Sequence, residues 1–555
     1  MKQRFQSIFI GKQVVVFWLS CIFAASLFSI ENLGGRSGIY SPYNVAIYFT
    51  VISFILFTVV RLFVVQRVFY SKWIMATTVV ISLLLLFGLV NTQKNFALYY
   101  PTFIAGFTTV LFIFSLFQYR ITTRQWRSVF LFICIVGFVQ VLIALVQRFD
   151  SYSLWYFWTG YYPFEFHGRY VGSLQQVNML QTFLAFTVAV SLYLISFRIF
   201  RFYPVYLKII GCLFVLSATF IILSSGSRAG VLTLIVSLIL VFIGRRKALF
   251  KEFYYFGVWI TTFIIGLVLS LFFPGDLSAI DKFSDVLGGV DSRLYLFKTT
   301  WALFMEQPVF GYGLGGFNDA FVNFSMINGV PEYFTEDVRR FTHPHNEFLF
   351  WMSQSGMIAF WVLPIFGFWY VFNLFRGGWQ KALTILGLLA PFLIETQISY
   401  PFTLSAIHLF SFFLLLFLGV QAQRNFYYVS FKPLIIFTAF SAVLTVWLIT
   451  FYLSFVSVKS IFESYYFYNR YYLYKEYPDQ EKQGYYKFAT QHPSYQHYVK
   501  NDMRHMLMKA FRENNRYDLN QYLLWSQGLN LEKGQHADVL ENVKKIHKFM
   551  EVMSD

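Results

Sequence analysis

Apolar runs of helical length recur along most of this chain, separated by short polar stretches. They predict helices near 13–30, 44–64, 73–90, 99–118, 128–147, 178–197, 208–224, 230–244, 254–273, 347–371, 382–398, 402–420 and 433–455. A helix of about 20 residues rises about 30 Å, the thickness of a bilayer's hydrocarbon core. The pattern therefore predicts an all-α polytopic membrane protein with about 13 transmembrane helices. Beyond residue 455 the pattern changes, and polar segments such as FESYYFYNRYYLYKEY fit amphipathic helices better than strands. Two domains follow: a transmembrane domain over 1–455, and a small helical tail over 456–555. The stretches 148–177 and 274–343 are too long to be simple turns.

Composition sharpens this reading. With 57% hydrophobic and only 13% charged residues, a soluble globular protein of 555 residues is excluded. The net charge of +17 would suit a nucleic-acid binder, but its distribution gives another cause. The N-terminus and the loops at 61–72, 120–127, 198–208, 245–251, 376–381 and 424–432 hold 20 Lys and Arg. The alternate set, Arg36, Lys94, Arg148, Arg169 and Arg228, holds 5. Cytoplasmic loops are the basic ones, so the N-terminus is expected in the cytoplasm and, with an odd number of spans, the tail outside. No nucleic-acid partner is expected. The N-terminal run reads as an uncleaved first helix, and Cys21, Cys134 and Cys212 lie in apolar runs with no metal or disulfide spacing.

The outer side gathers the candidate chemistry. THPHNEFLFWMSQSG places His343, His345, Asn346 and Glu347 at the mouth of an apolar segment, where titratable groups are costly to keep. Arg169, Gln176 and Asn178 close the 148–177 loop, Arg228 stands in SSGSRAG, and Arg293 precedes Pro308, Gly311 and Gly313. Glu395, Gln397 and Tyr400 follow a late apolar run. Taken singly, each has a plainer explanation: loop arginines snorkel to headgroups, amides cap helices, and histidines sit at the interface. A His/His/Glu metal site in HPHNE lacks a third ligand at suitable spacing, so no metal or cofactor is expected. Mid-span charges and interrupted helices, which a transporter or flippase would show, are largely missing from the pattern.

R-x-x-G-x-x-x-Q-x-N (Arg169, Gly172, Gln176, Asn178), S-R-A-G (Ser227–Gly230), R-x(14)-P-x-x-G-x-G (Arg293 to Gly313) and H-N-E-x-L (His345–Leu349) together resemble the bacterial O-antigen ligase superfamily. The Tyr-Pro at 400–401 and the outer tail are most similar to its O-linked protein oligosaccharyltransferases of the pilin-glycosylating type. The resemblance implies a multi-pass inner-membrane glycosyltransferase with a large periplasmic loop and a periplasmic tail. It would move an oligosaccharide en bloc from undecaprenyl pyrophosphate to a Ser or Thr of a pilin-like protein. Transfer to the lipid A core, or O-antigen polymerisation, would use the same donor. Arginines match phosphate oxygens bidentately, so Arg228 and Arg293 would hold the pyrophosphate. His345 would take the acceptor's proton. Asn346, Gln176 and Asn178 would orient groups around it, with Arg169, His343, Glu347 and Tyr400 lining the same pocket. An apolar groove between helices would take the polyprenyl chain. Val177 stands where the family carries Pro, and Gln354 where it carries Glu; the latter puts in doubt a carboxylate role there.

Overall fold

The computed structural model describes residues 13–28, 42–91, 96–149, 170–174, 176–274, 292–331, 341–421 and 427–430, with a few positions between 438 and 449. Arg169, most of 433–455 and the whole tail 456–555 lie outside the described residues.

The helices are α1 (Val14–Ala25), α2 (Pro42–Val65), α3 (Lys72–Val90), α4 (Phe96–Phe117), α5 (Thr123–Phe149), α6 (Val177–Ile195), α7 (Val205–Ser224), α8 (Arg228–Lys251) and α9 (Phe253–Phe272). Next come α10 (Ser292–Glu306), α11 (Phe317–Asn328), α12 (Glu347–Ser355), α13 (Met357–Arg376), α14 (Trp379–Glu395), α15 (Pro401–Leu404) and α16 (Ala406–Gln421). Eight of them (α2, α3, α5–α9 and α13) are long and apolar enough to cross a membrane; α1, the Thr102–Phe117 part of α4 and α16 are apolar but shorter. The chain is an all-α polytopic membrane protein. One small sheet, β1 (Arg67–Tyr70) paired antiparallel with β2 (Tyr427–Ser430), clips together two loops at the end opposite the candidate site.

Side-chain pattern decides which helices sit inside. The apolar residues of α6 run all round it, interspersed with Gln181, Thr182, Thr187 and Ser191, and nearly all of it is buried. A helix without a polar face belongs in the middle of a bundle. On α13, Trp361, Ile365, Phe368 and Phe372 stay exposed, as on a lipid-facing helix. Where α8 meets α14, small residues bring the backbones together: a Cβ at Gly387 would lie 2.7 Å from the Val241 nitrogen, and Ser237 donates to the Gly387 carbonyl at 2.5 Å.

Two expected spans are interrupted. The helix expected over 347–371 breaks at Gly356 (φ +60), between α12 and α13. Backbone groups freed near the break are taken up by the loop after α10: Tyr312 N–H donates to Ser353 O (2.8 Å), Gly313 N–H donates to Gln354 O (3.1 Å), and the Pro308 carbonyl accepts from Met357 N–H (2.7 Å). The helix expected over 402–420 breaks at Ser405, and buried Asn44 bridges the gap. It donates to Leu404 O and accepts from Ala406 N–H, both at 2.7 Å. The expectation of uninterrupted helices is thus corrected. Breaks are tolerated at membrane depth where neighbouring protein satisfies the freed backbone groups.

Candidate active site

His343-Pro344-His345 forms a tight turn ahead of α12, with His345 at φ +56, an uncommon value for a residue with a Cβ. The turn puts the two imidazoles side by side, ring centroids 4.4 Å apart. His343 lies buried against Tyr400 at 3.2 Å between centroids, and Tyr400 meets His345 edge-on at 6.3 Å. Thr342 Oγ1 and His343 Nδ1 share a hydrogen bond of 3.1 Å. Burial, then the neighbouring His345, push the His343 imidazole well below its ordinary pKa, so it stays neutral at pH 7. His345 itself is half-buried.

The residues after the turn fix it in place. Asn346 caps α12 by accepting from Leu349 N–H at 3.0 Å, while its amide group donates to Gln397 O at 3.2 Å. Glu347 N–H donates to Thr396 O at 2.7 Å. The Glu347 carboxyl reaches the start of α15, accepting from Phe402 N–H and Thr403 Oγ1, each at 3.3 Å. Burial raises this carboxyl to about 7, against those hydrogen bonds, which act to lower it. Asn346 and Glu347 thus have their side-chain atoms engaged in joining α12 to the end of α14 and to α15.

The other named residues come in from three sides. Ser227 caps α8, and its hydroxyl also donates to Asn178 Oδ1 at 3.0 Å, so the S-R-A-G and Q-x-N segments meet directly. Arg228 opens α8 beside them, half-buried. Four residues along from Asn178, Thr182 donates to the buried Glu395 carboxyl at 3.2 Å. The Arg293 guanidinium acts electrostatically on that same carboxyl from α10. The segments bearing Arg228, Arg293 and His345 are therefore joined at one end of the bundle through α6 and the C-terminal end of α14. Glu395 is the hub the motifs passed over; its signal in the sequence was a carboxyl ending an apolar run. His408, fully buried between Ser405 Oγ (2.7 Å) and Met179 O (3.0 Å), was hidden in an apolar segment.

Residue 169 itself lies outside the described residues, but the strap that follows it is tightly held. Gln147 accepts from the N–H groups of Val171 (2.9 Å) and Gly172 (2.8 Å). Gln140 pairs with both Ser173 N–H and Ser173 Oγ, and Tyr170 OH meets Ser224 Oγ at 2.6 Å. Gln140 and Gln147 stand seven residues apart, two turns on one face of α5, a spacing made to hold an extended segment.

Below this cluster opens a cavity of about 780 Å³ walled by α3, α4, α13, α14 and α16. Its rim is polar (Asn318, Asp319, Thr342, Glu347, Gln397, Tyr400) and its body apolar, lined by Leu386, Leu389, Leu409, Phe412 and their neighbours. From Thr396 to Leu386 is ten residues, about 15 Å of helix. Pro364 and Gly367 of α13 face the same space. The arrangement sets hydrogen-bonding groups at the mouth of a greasy chamber, beside the turn that carries His343 and His345, which suits a molecule with a long apolar tail and a polar head.

Comparison with curated proteins finds no match. A family model described as O-Antigen ligase matches residues 212–364, a stretch that contains Arg228, Arg293, His345 and the break at Gly356. With the motif order and the helical bundle, this match over less than a third of the chain supports a likeness to the O-antigen ligase superfamily.

Proposed function

We propose that this protein is a membrane glycosyltransferase that moves an oligosaccharide en bloc from undecaprenyl pyrophosphate to a Ser or Thr hydroxyl of a periplasmic acceptor protein such as a pilin. The observation that carries this reading is the junction of three elements, bearing Arg228, Arg293 and His345, beside the mouth of the 780 Å³ apolar cavity. The cavity takes the first part of the polyprenyl chain. Arg228 and Arg293 grip the pyrophosphate and offset the charge that grows on it as the sugar–oxygen bond breaks. His345 accepts the proton of the incoming hydroxyl, whose oxygen forms the new bond to the anomeric carbon. His343 and Tyr400 hold the His345 ring, and Asn346 and Glu347 hold the turn. Asn178 steadies the start of α8 through Ser227, Gln176 stands at the N-cap of α6 next to it, and Arg169 is assigned to donor binding from its motif alone. The protein lies in the bacterial inner membrane, N-terminus cytoplasmic, with the tail over 456–555 choosing the acceptor from the periplasm.

A second reading is favoured by the description of the matched family: the same donor grip would serve transfer of glycan to the lipid A core. Deleting the gene and comparing pilin mass with the lipopolysaccharide ladder separates the two. Loss of glycan mass from the pilin with an intact ladder is expected. An unchanged pilin with a ladder lacking long chains would replace the protein acceptor with the lipid one.

A further inference from the structure

Folded proteins pair nearly all their buried polar atoms, because an unpaired one forfeits its hydration. Among the described residues ten buried side-chain N or O atoms have no hydrogen-bond partner, and six of these fall at the candidate site: Gln176 Oε1, both amide atoms of Gln181, His343 Nε2, Glu395 Oε1 and Ser399 Oγ. Gln181, Glu395 and Ser399 are essentially fully buried. They also follow one another in space. Gln181 packs on the start of α8, where a Cβ at Gly230 would lie 2.6 Å from its own Cβ. Its neighbour Thr182 bonds Glu395, and Ser399 N–H donates to Glu395 O at 2.8 Å. Tyr400, next in the chain, carries the His343 stack.

The chemistry of this row does not suit a phosphate, since a carboxylate oxygen and amide carbonyl oxygens repel an anion. It suits a group that donates and accepts at several neighbouring points, which is what the hydroxyls of a sugar ring do. We propose that Gln181, Glu395 and Ser399 form a saccharide subsite, reading hydroxyls of the ring attached to the lipid pyrophosphate. This inference rests on the glycosyl-transfer reading above. It leaves the pyrophosphate to the arginines and puts the ring between them and His345.

The test uses purified full-length protein, an acceptor polypeptide, and undecaprenyl pyrophosphate carrying one hexose, in a panel whose members each lack a single hydroxyl. A site built around a hydroxyl rejects the analogue without it, so the unaltered protein is expected to lose about 10- to 1,000-fold in kcat/KM on at least one deoxy donor. Glu395→Gln and Gln181→Leu should bring that ratio below about threefold, with Ser399→Ala as the alternative should Gln181→Leu fail to fold. Equal use of every deoxy donor by the unaltered protein overturns the subsite. So do variants that lose rate but keep the discrimination, the outcome for a merely water-lined seam. Absence of any transfer of the complete hexose overturns the glycosyl-transfer reading itself.

Discussion

His345 holds a left-handed backbone conformation between Pro344 and the capping Asn346, a strained position that neighbouring bonds must over-determine. The strain turns its ring toward His343 and Tyr400. His345→Ala is expected to lower transfer by about 100- to 10,000-fold while leaving the lipid-linked donor and membrane insertion intact, checked by in vitro rates and by lipid extraction. Glu347 offers a separate test. Its carboxyl is raised to about 7 from an ordinary 4.5, so the folded protein holds this proton more tightly than the unfolded chain does. Its burial therefore costs nothing at low pH, and the cost grows as pH rises from about 4.5 through about 7. Thermal unfolding of Glu347→Gln against the unaltered protein should show the variant gaining relative stability across that window and no further above it. Parallel curves would rule out the burial argument. At this scale the sequence was informative about residue type and silent about employment. Asn346 and Glu347 read as ligand-binding groups, yet their side chains hold helices together, because capping geometry depends on partners fifty residues away. Glu395 and His408 are single polar residues in apolar runs, and only packing reveals what they touch.

The breaks in α12/α13 and α15/α16 shape the rim of the chamber. Each frees backbone groups that another segment takes up, the loop from Pro308 to Gly313 in one case and Asn44 in the other. Gly356→Ala places a Cβ against the Pro308 and Val309 carbonyls at a backbone angle that side chains avoid. A loss of roughly 1–3 kcal/mol is expected, visible as a lower Tm in detergent. Asn44→Ala removes both bonds across the Ser405 break and should cost about 1–3 kcal/mol. The hydrophobic pattern gave helix positions well and continuity poorly. Phe348–Leu363 reads as one span of helical length although Ser353, Gln354 and Ser355 precede Gly356, because small polar residues are tolerated inside a buried helix and only the neighbouring loop makes the site a break. Gly356 was in view, but a glycine inside an apolar helix is not by itself a stop. The P-x-x-G-x-G segment entered only as part of a family pattern, whereas its backbone is the partner of the break.

Across the whole molecule, elements far apart in sequence meet at one end of the bundle while the basic loops gather elsewhere. Arg61, for example, sits over Tyr119 beside the β1–β2 clip. The apolar runs made the bundle legible beforehand, and the 20-to-5 charge asymmetry gives an expected orientation for it. The junction through Glu395 was not, since it depends on how α6, α8 and α14 pack. Groups that act as one unit show strongly non-additive losses, whereas independent contributors multiply. The decisive measurement is therefore transfer from undecaprenyl-pyrophosphate-linked oligosaccharide to an acceptor polypeptide by purified protein, with Arg228→Ala, Arg293→Ala and His345→Ala made singly and in pairs. Each single change should cost at least about 100-fold, and the pairs little more than the worse single. Near-normal transfer by any one of the three, or losses that multiply in the pairs, would contradict a common catalytic pocket.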